Sequence, residues 1–346
     1  MKVGLIGRPG SGKTTIFNML TGLEAEVGGY TGGDKAEIHL GVIKVPDERI
    51  DRLSEIFQPK KTTYAEIRFT DFPATQGKET VKAAGDLLAQ MREVEAMALV
   101  LCDFGPPADP LKDLADLLAE MMLADLAVIE NRLAKLKKEK GKEQEALLLG
   151  RCLKALESEQ ALGSLPLSVD EENLIAGFGF LSRKPLLALF NAADEKAGEP
   201  LPPAYGEELR RRALQGFALA GKLEMEIARL SEADREAFLR ESGIAEPARA
   251  RFIRASYALL DLISFFTTGK DEVRAWTIER GTPARKAAGK IHSDIERGFI
   301  RAEVVPYEDF IALGSEAKCR EAGKLRLEGK DYIVQDGDIV HFRFNV

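Results

Sequence analysis

A glycine-rich segment near the N-terminus has the composition and spacing of a phosphate-binding loop. The residue types at positions 7, 12, 13 and 14 fit the pattern G-x-x-x-x-G-K-[ST], directly after a short apolar run. Glycine lets consecutive backbone N–H groups turn toward an anion, and a helix beginning near Lys13 adds the positive end of its dipole. The pattern predicts a nucleoside-triphosphate site whose binding residues are Gly7, Pro9, Gly10, Ser11, Gly12, Lys13, Thr14 and Thr15.

Two side chains of this loop and one distant carboxylate could carry out phosphate chemistry. Lys13 is expected to neutralise the β- and γ-phosphates, and the Thr14 hydroxyl is a ligand that Mg²⁺ accepts. Such a site also needs an acidic residue at the end of a second strand, and Asp71 follows the alternating segment 66–70. We therefore predict Lys13, Thr14 and Asp71 as catalytic residues, with Thr14 and Asp71 as the Mg²⁺ ligands.

The residues after Asp71 depart from the pattern of efficient GTPases. Those enzymes usually have D-x-x-G, followed by a glutamine that positions the attacking water. In this chain Ala74 and Thr75 occupy these two places, and Gln76 is one position further on. Alanine restricts the turn that closes on the γ-phosphate, and threonine is too short to position a water, so we expect slow hydrolysis.

Two further loops could recognise the base. GTPases use N-K-x-D, whereas this chain has Asn191 and Asp194 with alanines between them. Asp194 could accept hydrogen bonds from guanine N1 and N2, while Asn191 is expected to tie this loop to the phosphate loop. Ala220, Gly221 and Lys222 follow the next apolar run and resemble a degenerate S-A-K loop, with the lysine stem over the base. An ordinary surface lysine is the alternative interpretation of Lys222.

The elements that must position these residues alternate between strands and helices. Apolar runs at 3–6, 96–101, 186–190 and 217–220 predict buried strands, and helical stretches separate them. This alternation indicates an α/β fold with a doubly wound, mostly parallel sheet.

Two regions differ from that alternation. Leucines at helical spacing over 111–140 and 143–162 predict an antiparallel helical hairpin inserted into the sheet domain. From residue 265 onward, the residue pattern predicts a β-rich module, which is small but able to fold by itself. We expect strands at 273–278 and 299–305, a helix over 283–294, and a hairpin that pairs 330–334 with 339–346.

Composition excludes several classes of protein. The 346 residues carry 49 basic and 56 acidic side chains, a net charge of −7, so any nucleic-acid contact must be local or based on shape. Three separated cysteines fit reduced thiols rather than a disulfide framework. No apolar run reaches the length of a membrane helix, and the N-terminus lacks the features of a signal peptide. We predict a cytoplasmic protein with neither DNA nor a membrane as partner.

These motifs together resemble the YchF/Obg-like ATPase family over nearly the whole chain. The phosphate loop and the segment 41–51 carry part of the resemblance, and the stretches 271–278, 288–302 and 321–334 are its most specific part. The resemblance implies a P-loop NTPase (Obg-type G) domain over 1–110 and 166–264. It also implies a helical hairpin (coiled coil) over 111–165 and a TGS domain of β-grasp fold over 265–346.

The same resemblance implies a preference for ATP over GTP, slow hydrolysis without a catalytic glutamine, and association with the ribosome, either its large subunit or the whole particle. The base loop of the family has N-x-x-E, whereas Asp194 is the fourth residue here, so ATP and GTP both stay open. The threonine of the first switch that contacts Mg²⁺ has no clear counterpart, and Thr31 and Lys35 are the nearest residues.

Two functions from different classes follow. The first is a nucleotide-binding switch protein that hydrolyses ATP or GTP slowly, depends on Mg²⁺ and associates with ribosomes. The second is a nucleotide-sensing interaction protein with little or no turnover. Intact Lys13, Thr14 and Asp71 favour the first, whereas Ala74 and the glycine-rich segment 28–33 favour the second.

Overall fold

The computed structural model describes residues 1–25, 38–73 and 81–345. Several residues of the sequence-based predictions therefore lie outside the described residues. They are the glycine-rich segment 28–33, the first-switch candidates Thr31 and Lys35, and Ala74, Thr75 and Gln76.

The strands of the described chain, in sequence order, are β1 (Lys2–Gly7), β2 (His39–Lys44), β3 (Lys61–Thr63), β4 (Glu66–Asp71), β5 (Ala96–Asp103), β6 (Leu186–Ala192), β7 (Gln215–Leu219), β8 (Leu262–Thr267), β9 (Glu272–Glu279), β10 (Phe299–Pro306), β11 (Arg326–Glu328) and β12 (Asp338–Phe344). The helices are α1 (Lys13–Thr21), α2 (Glu48–Phe57), α3 (Val81–Arg92), α4 (Pro110–Leu136), α5 (Glu143–Glu157), α6 (Val169–Ile175), α7 (Pro203–Arg211), α8 (Gly221–Ala228), α9 (Glu232–Glu241), α10 (Ala248–Leu259), α11 (Ala284–Ile291), α12 (Ser293–Arg297), α13 (Tyr307–Leu313) and α14 (Glu316–Glu321). None of these helices is long and apolar enough to cross a membrane.

The first sheet has the strand order β2-β4-β1-β5-β6-β7. β1 pairs in parallel with both β4 and β5, and β5–β6 and β6–β7 are parallel as well. The register places Leu5 opposite Asp71 and Cys102 opposite Asn191. The predicted parallel α/β sheet is thus confirmed, and the carboxyl ends of β1, β4, β5 and β6 meet at one edge, where such sheets bind ligands.

The core of this sheet forms because its strands are apolar on both faces. Met97, Leu99 and Leu101 of β5 are fully buried, and they pack in one cluster with Leu114 and Leu117 of α4. A continuous apolar run is typical of a parallel strand covered by helices on both sides.

The predicted helical hairpin between β5 and β6 is present, although both helices end earlier than the leucine pattern suggests. α4 begins after Asp109, whose side chain accepts from the backbone N–H of Lys112. It ends at Leu136, and the turn into α5 then passes through Gly141, whose φ angle is 75°. The buried residues Ile129 and Leu136 of α4 pack against Leu149 of α5.

The described chain divides into two compact units, and the division differs from the predicted domain boundaries. One unit is Lys2–Val42 with Arg68–Ser256, and the other is Met1, Ile43–Ile67 and Tyr257–Val346. The second unit therefore contains α2 and β3, which the sequence analysis assigned to the N-terminal domain. β3 pairs in parallel with β9, with Lys61 opposite Glu272.

The sheet of the second unit has the order β11-β10-β12-β8-β9-β3. β12 pairs antiparallel with β10 and parallel with β8. The predicted hairpin of 330–334 with 339–346 is wrong, because Tyr332 and Val334 bond to Ala284 and Thr282 instead. The helix predicted over 283–294 is divided at His292, whose extended backbone ends α11 and whose side chain caps α12.

Candidate functional site

The phosphate loop turns between the end of β1 and the start of α1. Gly10 and Gly12 have φ angles of 80° and 82°, in the left-handed region that favours glycine. A Cβ atom on Gly12 would lie 2.1 Å from Nδ2 of Asn191, and one on Gly7 would lie 2.5 Å from the carbonyl oxygen of Val100. Backbone conformation at Gly12 and close packing at both positions therefore require the first and last glycines of the pattern.

Lys13, Thr14 and Asp71 meet beside the carboxyl ends of β1 and β4. Lys13 Nζ donates to Asp71 Oδ1 at 2.6 Å, and Thr14 Oγ1 donates to Asp71 Oδ2 at 3.0 Å. Asp71 is 2% exposed and Lys13 is 9% exposed. Buried charges need partners, and here each satisfies the other. The structure thus brings the three predicted catalytic residues into one bonded group.

The oxygen atoms of this group suit a magnesium ion. A hydroxyl and a carboxylate are hard donors, and Mg²⁺ is commonly held by one or two protein oxygens together with substrate phosphates and water. Across the described ranges, no group of three or more His, Cys, Asp or Glu side chains could hold a metal by itself. Thr14 and Asp71 therefore fit Mg²⁺ as it binds beside a nucleotide, rather than as a protein-caged metal.

His39 lies next to this group, and sequence reasoning missed it. Its Nδ1 is 3.5 Å from Oδ2 of Asp71, and its ring packs 6.0 Å from that of Phe17. No sequence motif surrounds this histidine. The strand order places β2 beside β4 and so brings His39 to Asp71.

Asn191 joins the phosphate loop to the loop after β7. Its Nδ2 donates to the carbonyl oxygen of Ser11 at 2.9 Å, and its Oδ1 accepts from the backbone N–H of Gly221 at 3.0 Å. The side chain is buried, and so is Ala220, which precedes α8. One amide group therefore fixes the spacing of the two loops.

Asp194 and Lys222 stand at the opposite end of the site. Asp194 Oδ1 accepts from the backbone N–H of Leu223 at 3.2 Å, and its Oδ2 lies 3.9 Å from Lys222 Nζ. The side chains of Asp194 and Lys222 are 38% and 70% exposed. The two predicted base loops thus meet, and they leave a carboxylate open to solvent.

A cleft of about 630 Å³ connects both ends of the site, within the usual range for ligand pockets. Phe104 and Met225 line it and were not found from the sequence, because neither belongs to a polar motif. Phe104 follows β5 and is 36% exposed, so its ring offers a flat apolar surface. The predicted residues along the cleft are Pro9, Gly10, Ser11, Gly12, Lys13, Thr14, Thr15, Asn191, Asp194 and Lys222. The other four predicted residues, Gly7, Asp71, Ala220 and Gly221, do not line the cleft. Asp71 and Gly221 contact it through their hydrogen bonds with Lys13, Thr14 and Asn191.

Glu224 is a buried acid on α8, the helix that begins at the base loop. Burial raises the pKa of its carboxyl to about 7, against an opposing hydrogen bond from the backbone N–H of Ala248 and the charge of Arg251. The side chain thus joins α8 to the first turn of α10. It lies along a separate cavity of about 300 Å³, beside Ala220.

Two family models match parts of the chain. Residues 2–132 match a family model described as a 50S ribosome-binding GTPase, and residues 262–345 match that of the C-terminal region of YchF GTPases, described as a protein of unknown function. The chain is similar to the ribosome-binding ATPase YchF of Bacillus subtilis, with 37% identity over 100% of both chains. It is 40% identical to that of Haemophilus influenzae, over 100% of this chain and 99% of the relative.

Among solved structures, the chain is similar to the YchF GTPase of Schizosaccharomyces pombe. The two have a TM-score of 0.83 and 26% identity, and the match covers 99% of this chain and 97% of the other. The likeness therefore extends through both compact units.

Proposed function

The chain belongs to the YchF family, and from this membership and the geometry of the cleft we propose that it binds ATP or GTP with Mg²⁺ and hydrolyses the nucleotide slowly. The observation that carries this proposal is the bonded group of Lys13, Thr14 and Asp71 beside a glycine loop. The same cleft extends to Asp194, so one site has room for phosphates at one end and a base at the other.

Each residue of the group has a defined role in this proposal. The backbone N–H groups of the loop and the first turn of α1 hold the phosphate oxygens. Lys13 would meet the β- and γ-phosphates, and Thr14 and Asp71 would hold the metal ion. Bound Mg²⁺ supplies charge neutralisation at the phosphates. The ring of Phe104 provides an apolar face for the ribose or base.

Slow turnover follows from the chemistry of hydrolysis rather than of binding. An attacking water must be held in line with the γ-phosphate, and donors must meet the charge that develops there. The cleft as described is lined by no glutamine side chain, and the sequence has Ala74 and Thr75 where such a group usually stands. We propose basal rates well below the median enzyme rate of about 10 per second.

Asp194 is the residue on which base selectivity depends. A carboxylate accepts from both N–H donors of the guanine edge, whereas adenine offers one amino donor beside the N1 acceptor. Asp194 already accepts from Leu223 N and lies near Lys222, which offsets part of its charge. Affinities for ATP and GTP, measured side by side with Mg²⁺, separate the two ligands.

We further propose that the ribosome is the partner. The relatives from B. subtilis and H. influenzae are named ribosome-binding ATPases, and the connection between α4 and α5 offers a surface for an anionic partner. Its exposed lysines lie in a protein of net charge −7. They are Lys137, Lys138, Lys140 and Lys142.

The domain assignments also stand as proposals. We propose that the second unit contains a TGS domain of β-grasp fold and that the protein works in the cytoplasm. The β-grasp assignment is supported by α11, whose buried residues Ala284, Ala287 and Ala288 pack across the mixed sheet. The alternative function, nucleotide sensing with little or no turnover, is not favoured, because the curated relatives are named ATPases.

Phosphate release with and without ribosomes tests this function. We expect slow release by the isolated protein, faster release with ribosomes, and none above background by the Lys13→Ala variant. Fast release by the isolated protein, lost in that variant, would contradict the proposed slow turnover.

Co-sedimentation with ribosomes tests the proposed partner. The experiment compares the variant Lys137→Glu/Lys138→Glu with the control Lys286→Glu/Lys290→Glu on α11. Equal sedimentation of both variants would contradict a contact through the hairpin turn.

A further inference from the structure

The side chain of Arg8, a residue of the phosphate loop, contacts the neighbouring helix α4. Its Nη1 lies 2.8 Å from Oε1 of Glu120, and its Nη2 lies 3.4 Å from Oδ2 of Asp116. Its carbonyl oxygen accepts from the backbone N–H of Ser11 at 3.1 Å, inside the turn of the loop. Arg8 also lines the cleft. One residue therefore contacts the loop turn, the ligand space and α4.

The part of α4 that faces Arg8 is acidic. Asp116 and Glu120 are one helical turn apart and so lie on the same face. Burial and the charge of Asp116 both raise the pKa of the neighbouring Asp113, and the charge of Arg8 opposes that rise. Arg8 thus offsets part of this negative charge next to the phosphate loop, together with Lys112.

α4 is built into two apolar cores. Leu114, Leu117 and Met121 pack in the cluster that contains the strands of the first sheet. Ile129 and Leu136 pack in the cluster formed with α5. The helix has 27 residues, or about 40 Å at the usual rise per residue. The same continuous helix thus carries both the carboxylates that face Arg8 and the residues that pack against α5.

We propose that the contact of Arg8 with Asp116 and Glu120 couples nucleotide occupancy to the position of α4. This inference rests on the proposed nucleotide function. A guanidinium binds carboxylate and phosphate through the same planar fork, so the phosphates of a bound nucleotide compete with the two carboxylates for Arg8. Nucleotide binding then loosens the contact with α4, and by linkage any partner that pulls α4 from Arg8 strengthens nucleotide binding.

A double-mutant cycle on Mg²⁺–nucleotide affinity tests the coupling. Asp116→Asn/Glu120→Gln removes the competitors without touching the cleft lining, and we expect it to tighten binding about fivefold or more. The same pair of substitutions combined with Arg8→Gln should give no such gain. If Arg8→Gln binds too weakly to titrate, Arg8→Lys replaces it, and the gain should then be smaller than with arginine, since lysine keeps the charge but lacks the fork. Glu130→Gln, an exposed acid further along α4, is the matched control and should leave affinity unchanged.

The outcomes separate this proposal from simple charge effects. Unchanged or weaker binding by Asp116→Asn/Glu120→Gln would overturn the coupling. An equal gain with and without Arg8 would overturn it as well, because loss of two negative charges alone would then explain the result. A wild-type chain that binds neither ATP nor GTP would instead contradict the proposed function.

Discussion

The phosphate end and the base end of the cleft differ in how tightly their polar groups are held. Asp71 is 2% exposed and bonded to two side chains, whereas Asp194 is 38% exposed and has one backbone donor and a distant lysine. Charge-assisted bonds are strong in buried surroundings and weak at an exposed surface. The phosphate end should therefore dominate affinity, while the base end should adjust selectivity by small amounts.

Replacing Lys13 should have the largest effect. The Lys13→Ala variant loses the charge that meets the phosphates and leaves Asp71 buried without its cation. Loss of charge-assisted contacts of this kind costs about 1.5–3 kcal/mol, which is about ten- to a hundredfold in affinity. Titration with a fluorescent ATP or GTP analogue measures it. Circular dichroism checks that the variant is folded. Unchanged affinity in a folded variant would contradict the assignment of the nucleotide site to this loop.

Asn191 connects the two ends, and its loss should have the next largest effect. Asn191→Ala leaves the carbonyl of Ser11 and the N–H of Gly221 without their side-chain partner. Each unsatisfied buried group costs about 1–3 kcal/mol, so we expect lower stability and about tenfold weaker nucleotide binding. Urea unfolding and nucleotide titration report the two effects separately. If stability falls while affinity stays the same, the amide is a packing group and does not align the two loops.

Glu224, on the helix that begins at the base loop, should make the stability of the protein depend on pH. Its pKa is raised in the folded protein to about 7, from the usual 4.5, so the carboxyl favours folding when protonated. That stability is fully present below about pH 4.5 and is lost as the pH rises through 7. Glu224→Gln should therefore be more stable than wild type at pH 8, by about 1–3 kcal/mol.

The stability difference between Glu224→Gln and wild type should itself depend on pH. Near pH 5 the advantage of Glu224→Gln should shrink, because the wild-type carboxyl is then protonated in the folded state. Thermal unfolding of both proteins at the two pH values measures the difference. An advantage of equal size at both would show that the substitution acts through packing and not through the buried charge.

Removing Lys222 should have the smallest effect. Its side chain is 70% exposed and its ammonium is 3.9 Å from Asp194, a pair of the kind that contributes less than about 1 kcal/mol. Lys222→Ala should change the affinity for either nucleotide by less than about fivefold, and the ratio of ATP to GTP affinity should change with it. A loss as large as that of Lys13→Ala would reverse the ranking of the two ends.

The phosphate end could be predicted from sequence because its geometry depends on the backbone. Gly12 must adopt a positive φ angle and leave room for Asn191, and these constraints act on residue types at fixed spacing. Asp71 could be placed because it ends an alternating strand. His39 and Phe104 could not be found, since their proximity to the site arises from strand order and loop packing, which no local spacing encodes.

The elements of the fold show the same contrast between local and long-range information. The apolar run at 96–101 predicts β5 because burial on both faces is recorded in consecutive residues. β3 was missed because it is short, polar and paired with β9, a strand far along the chain. The hairpin assigned to 330–334 was wrong because the alternation of that segment does not specify its partner, and the structure pairs β12 with β10 and β8.

The pairing of β3 with β9 also has a consequence for synthesis on the ribosome. Lys61 and Glu272 are 211 positions apart, so α2 and β3 leave the exit tunnel long before the strand that completes their sheet. At about 5–20 residues per second, that interval is about 10–40 seconds. During this time β3 has an unpaired edge and Arg49 lacks Asp336, its later ion-pair partner. A nascent chain at this stage presents a short, charged strand, a type that resists edge-to-edge aggregation.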